Sequence, residues 1–168
     1  MNPFAMLARY NAWANARAYD AADALPEADY RADCGAAFGS VHGTFNHLVV
    51  GDLIWMSRIT GEGEAPTRLD AIVADDRREL RRTREALDAR IRTFAEGLSD
   101  AAIAGTFSYT PITRPEPVTQ PLGPVLLHVF NHQTHHRGQV HAMLTRLAGE
   151  APALDLIYYQ RETGDGVG

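Results

Sequence analysis

Lysine is absent: all 16 basic residues are arginine. Set against 21 acidic residues they leave a formal net charge of −5, so the chain lacks the basic footprint with which a nucleic-acid-binding domain gathers phosphates. With the many alanines, the all-arginine usage reads as the coding bias of a GC-rich bacterial genome. Cysteine occurs once, at Cys34, which excludes an internal disulfide and any metal site built from several thiolates. No window approaches the roughly 18 consecutive apolar residues of a membrane span. The first residues carry no basic stretch ahead of an apolar one, so no secretory leader is expected and the cytoplasm is the expected compartment. What is present is ordinary in amount: 168 residues, 45% hydrophobic and 22% charged. That is one domain, residues 1–168, able to bury about 70% of its unfolded surface without a cross-link.

The chain reads as helices separated by punctuation. Phe4, Leu7, Tyr10, Trp13, Tyr19 and Ala22 recur at helical spacing between Pro3 and Leu25, and Pro3 suits a first turn. Leu25-Pro26 ends that segment, and residues 29–38 read as a connector. A second helix is predicted from an N-cap at Ser40 to about Thr60. It is apolar around most of its circumference and should be largely buried. A third is predicted over Leu69–Leu98, where Ile72, Val73, Leu80, Leu87, Ile91, Phe94 and Leu98 form one stripe. Its run of five acidic residues and seven arginines between Asp75 and Arg92 reads as a solvated face laced with i,i+4 ion pairs. Residues 105–121 differ in kind: Phe107, Tyr109, Ile112 and Val118 among threonines and prolines suggest a short irregular hairpin. A fourth long helix follows over Leu122–Leu147, ended by Gly149, and a short one over Leu154–Arg161. The fold class expected is all-α: a four-helix bundle with a short irregular β excursion before the fourth helix and a short C-terminal helix.

All seven histidines fall in the second and fourth predicted helices, five of them between His128 and His141. At about 100° per residue, His128, His132 and His136 form one row, and the apolar residues of the fourth helix centre near the positions of His132 and His136. His141 points nearly opposite, toward the expected surface. Two histidines at i,i+4 let their imidazole nitrogens converge on one ion. The same spacing equally suits a pair of hydrogen-bonded core histidines. Position 133 is glutamine, so the glutamate base of an HExxH zinc protease is missing. A third ligand would come from the second helix, which offers His42 and His47. Helical spacing does not choose between them, and it sets His42 and Asp52 nearer the apolar centre than His47.

Three segments carry a resemblance: YNAWAN (Tyr10–Asn15), FNHLVVGDLIW (Phe45–Trp55) and HVFNHQTHHRGQV (His128–Val140). In order and spacing they resemble the DinB-like family, also written DinB/YfiT-like, over nearly the whole chain. The resemblance implies a four-helix bundle with a divalent ion held by His47, His132 and His136. Zn²⁺ or Ni²⁺ is the first expectation, and iron, manganese and copper are also compatible with such a site. Three imidazoles with open positions imply a catalytic centre; the family resemblance implies a thiol-dependent S-transferase or isomerase, and an ion that activates a thiol or water makes a thiol-dependent S-transferase or a hydrolase the first expectation. Its partner would be a small-molecule substrate, with a low-molecular-weight thiol. Asp52 and Gln139 are candidate partners for the second imidazole nitrogens. Arg137 is a candidate fork for a substrate carboxylate, against a structural pairing with an acidic neighbour, and Gly138 reads as a close-packing position. A non-catalytic metal-binding stress-response protein is the alternative. Homodimerisation is compatible with the sequence, and neither a nucleic acid nor a membrane is expected as a partner.

Overall fold

Four long helices do form: α1 (Pro3–Asp23), α3 (Val41–Thr60), α4 (Arg77–Glu96) and α6 (Leu122–Ala148). The computed structural model describes residues 2–112 and 116–167. Their ends carry the expected chemistry. Asn2 accepts hydrogen bonds from the first amides of α1, Ser40 accepts from Gly43 N at the start of α3, and Gly149 closes α6 at φ +82°. Of two single-turn helices, α2 (Glu27–Arg31) overlaps the start of the expected connector and α5 (Asp100–Ala104) stands where no element was predicted, because one turn is too short to show a period. Strands β1 (Thr106–Tyr109) and β2 (Val118–Pro121) pair antiparallel with Thr106 opposite Pro121. The part of the expected β excursion at 113–115 lies outside the described residues. Helix α7 spans Leu156–Thr163, two residues later than predicted.

The four long helices pack in a ring, each touching two neighbours, in the order α1, α4, α3, α6. Helices α1 and α4 run antiparallel: Asn2 Nδ2 donates to Ala95 O at one end, and Arg81 pairs with Asp20 and Asp23 at the other. Helices α3 and α4 run parallel, since contacts advance together from Asn46–Ala74 through Asp52–Arg84 to Thr60–Arg90. Parallel neighbours joined in sequence require a return path. The segment 61–76 therefore travels back along the roughly 30 Å length of α3, and this path decides the site described below.

That return path corrects the predicted start of the third helix. Residues 69–76 are not helical. Asn46 of α3 captures their backbone instead, accepting from Val73 N (2.8 Å) and Ala74 N (3.2 Å) and donating to Ala74 O (3.2 Å). Asp76 then caps α4 by accepting from Glu79 N at 2.8 Å, with glutamate at the third helical position. The charge run is also not wholly solvated. Arg84 and Asp88 are buried, 2.9 Å apart, and Arg84 lies 2.8 Å from Asp52 of α3. The remaining core is apolar, with Tyr19 and Phe45 stacked at 3.9 Å between centroids. Among the described residues no helix is long and apolar enough to cross a membrane.

Candidate metal centre

Helices α3 and α6 run antiparallel in contact, bringing His47 beside His136 and Trp55 beside His128. The crossing brings three imidazoles together. His47 Nε2 lies 3.1 Å from His132 Nε2 and 3.2 Å from His136 Nε2. His47 and His136 are buried and His132 is half-buried.

The opposite faces of two rings are tied. His47 Nδ1 stands 2.8 Å from Leu69 O, and His136 Nδ1 stands 2.8 Å from Gln139 Oε1. A carbonyl oxygen only accepts, so both Nδ1 atoms carry the proton and both Nε2 atoms present lone pairs. Two lone pairs 3.2 Å apart make no hydrogen bond with each other. Such a pair is satisfied by a cation. Two nitrogens at about 2.0–2.1 Å from one tetrahedral ion lie roughly 3.3–3.4 Å apart, close to what is seen. The donor set therefore fits a divalent ion that favours imidazole.

Electrostatics favour the neutral, ligating form. Burial lowers the pKa of all three histidines. His132 is lowered most, to about 3, by burial and then by its neighbours His136 and His47.

Two glycines shape the cluster, and the sequence reading passed over both. A Cβ on Gly51 would sit 3.0 Å from His132 Cε1, and one on Gly43 would sit 2.1 Å from Phe38 O. The second approach seats the loop before α3 against the helix. The Phe38 ring then stacks on His47 at 3.6 Å between centroids and meets His136 edge-on. The signal was present: glycine inside a helix costs up to about 1 kcal/mol relative to alanine, so it marks positions where something approaches closely.

Gln139, one of the two candidate partners, lies beside His136 Nδ1. Asp52 does not. Its carboxylate is buried against Arg84, far along α3 from His47, and the partner of His47 Nδ1 is instead the carbonyl of Leu69. Sequence reasoning could not find it, because a backbone carbonyl has no residue signature and Leu69 was assigned to a helix. Burial pushes the Asp52 carboxyl up, and the adjacent Arg84 opposes this. Burial alone would lower Arg84, but Asp88 and Asp52 together reverse the direction.

Arg137 is also turned away from the histidines. It is 2% exposed, its Nη1 donates to Asn11 Oδ1 and to Asn15 Oδ1 (3.2 Å), and both asparagines donate onward to Asp88. Its neighbours are amides rather than an acid. His42 is buried beside Asn46, outside the cluster. His141, expected at the surface, is half-buried beside Leu154 and Asp155. A Cβ on Gly138 would meet open space, so this glycine packs against nothing.

A cleft of about 370 Å³ opens beside His47 and His132. Its walls are Gly51 and Trp55 of α3, Tyr109 of the hairpin, Leu69 of the return path and His128 of α6.

A model of the DinB family matches residues 1–166. The chain belongs to the DinB family. It is 28% identical over 162 residues to Protein DinB of Bacillus subtilis (strain 168), covering 91% of each chain. The three histidines that converge here are the three that the motif resemblance implied as ligands.

Proposed function

We propose that this DinB-family chain is a metal-dependent enzyme that binds one divalent ion, Zn²⁺ or Ni²⁺, through Nε2 of His47, His132 and His136. The observation that carries the reading is the facing pair of lone-pair nitrogens on His47 and His136, with His132 beside them and a cleft at their side. When bound, the ion supplies Lewis acidity toward a thiol or a water, which suits an S-transferase or a hydrolase. The protein's part is positional. Leu69 O and Gln139 hold two imidazoles in the ligating tautomer. Phe38 covers the His47 ring on one side, and Trp55, Tyr109 and His128 line the approach for a small substrate.

Elemental analysis of untagged protein purified without chelator tests this. About one Zn or Ni per chain is expected, lost in the variant carrying His47→Ala, His132→Ala and His136→Ala, with the helical circular-dichroism spectrum retained. Metal retained by the triple variant, or no uptake by the wild type on reconstitution, would overturn the assignment. Thiol conjugation or hydrolysis by the loaded wild type, absent from the variant, is the expected second result.

A further inference from the structure

Among the described residues one full charge lines the cleft beside the histidines: Arg58, in the last turn of α3. It is half-buried between two aromatic rings, its guanidinium carbon 4.9 Å from the Trp55 centroid and 4.9 Å from that of Tyr109. Nη2 donates to Thr110 O at 3.2 Å, which fixes the plane of the fork, and among the described residues its other donors have no hydrogen-bond partner. Among the described residues Arg58 makes no ion pair with a carboxylate, and no aspartate or glutamate lines the cleft. Most other half-buried arginines do have acids: Arg9, Arg17, Arg77 and Arg81 each do, whereas Arg90 bonds Thr60 and a backbone carbonyl. A guanidinium held over aromatic faces keeps its charge while losing part of its hydration. Burial without a compensating acid disfavours that charge.

We propose that Arg58 is a specificity-determining residue that binds the carboxylate of an elongated, largely apolar acid whose other end reaches the histidines. This rests on the reading of the cleft as the substrate site. The dimensions follow from the helix. Gly51, which touches His132, and Arg58 are separated by roughly 10 Å along α3, so the acidic group and the reacting end lie about two helical turns apart. The wall between them supports an apolar body. Ile54 and Trp55 line it, and Leu69 and Ile112 at its margin are 43% and 42% exposed. An Arg–carboxylate fork in such a partly dry setting is directional as well as charged.

Octanoate and octanol separate the charge from the chain, and metal-free protein keeps metal coordination by the carboxylate out of the comparison. Binding is read by quenching of Trp55 fluorescence in a Trp13→Phe background, with metal-free protein. Octanoate is expected to bind at least tenfold more tightly than octanol, with the difference shrinking as salt is raised. Arg58→Gln should erase the preference while leaving octanol binding unchanged. Arg58→Lys should keep much of it, which distinguishes lost charge from a displaced hairpin. Equal binding of the two probes by the wild type, binding of neither, or an intact preference in Arg58→Gln would overturn the proposal. The ω-mercapto analogues with Zn²⁺-loaded protein then test the link to the histidines. A gain in affinity from the thiol that vanishes in His132→Ala is expected. Octanoate preference without that gain would leave the acid pocket standing and refute the metal reading of the cleft, so the two failures are distinguishable.

Discussion

At the residue scale the centre depends as much on what is missing from side chains as on the ligands. Gly51 leaves room for the His132 ring, whose Cε1 would meet an added Cβ at 3.0 Å. Gly51→Ala is expected to gain helix propensity, up to about 1 kcal/mol, and yet to weaken metal retention about tenfold, the scale at which disturbing a ligand's surroundings acts. Competition with a chromogenic chelator measures it, and unchanged affinity would show that His132 is not constrained by this wall. Four buried or half-buried histidines also set a pH dependence. His42, His47, His132 and His136 all have lowered pKa values in the folded chain, by burial first. Below the ordinary histidine value of about 6.5 the unfolded chain takes up protons that the folded chain resists, so stability falls as pH falls. For His132 the loss continues toward its folded value of about 3. Urea denaturation of metal-free protein from about pH 7.5 to 4.5 should show a plateau near neutrality and a decline below it. A flat profile would mean that these rings are hydrated in the folded chain.

At the scale of elements, the loop before α3 and the return path after it converge on one histidine. Phe38 arrives from the first and Leu69 O from the second, one on the face of the His47 ring and one at its Nδ1. Gly43 permits the first contact, since an added Cβ would lie 2.1 Å from Phe38 O and backbone would have to move. Gly43→Ala should therefore destabilise the protein by roughly 1–3 kcal/mol, against the gain its helix propensity alone would give. A thermal melt decides the sign. Much of this scale was readable beforehand. Ser40, Pro3 and Gly149 marked helix ends through capping chemistry, and those ends stand as expected. The start of α4 was misread because Ile72 and Val73 fall in register with its apolar stripe. Asn46 claims their backbone from another helix, and no local pattern announces that.

At the scale of the whole molecule, a charged and polar network crosses the bundle. Asp52 of α3, Arg84 and Asp88 of α4, Asn11 and Asn15 of α1, and Arg137 of α6 are all buried and linked side chain to side chain. Every long helix contributes, so the network ties the register of all four. Removing one partner leaves the others charged and unpaired, at a cost of about 3–5 kcal/mol. Arg84→Met is expected to lose that much in urea denaturation, whereas the exposed Arg68→Met, paired only with Asp70 at the surface, should change stability by less than about 1 kcal/mol. Similar losses in both would mean that Arg84 is hydrated.

Local chemistry was enough to determine the four long helices apart from the start of α4, the end signals at Pro3, Ser40 and Gly149, the short hairpin and the His132–His136 pair, because periodicity and capping act within a few residues along the chain. The motif resemblance added His47. Only the tertiary structure decided which charges of the α4 run go inside, that Asp52 serves Arg84 rather than a histidine, and that a carbonyl at Leu69 orients His47. Each of these depends on α3 and α4 running parallel. A parallel pair forces the chain back along the bundle, and the partners a side chain meets there are set by that path rather than by its neighbours in sequence.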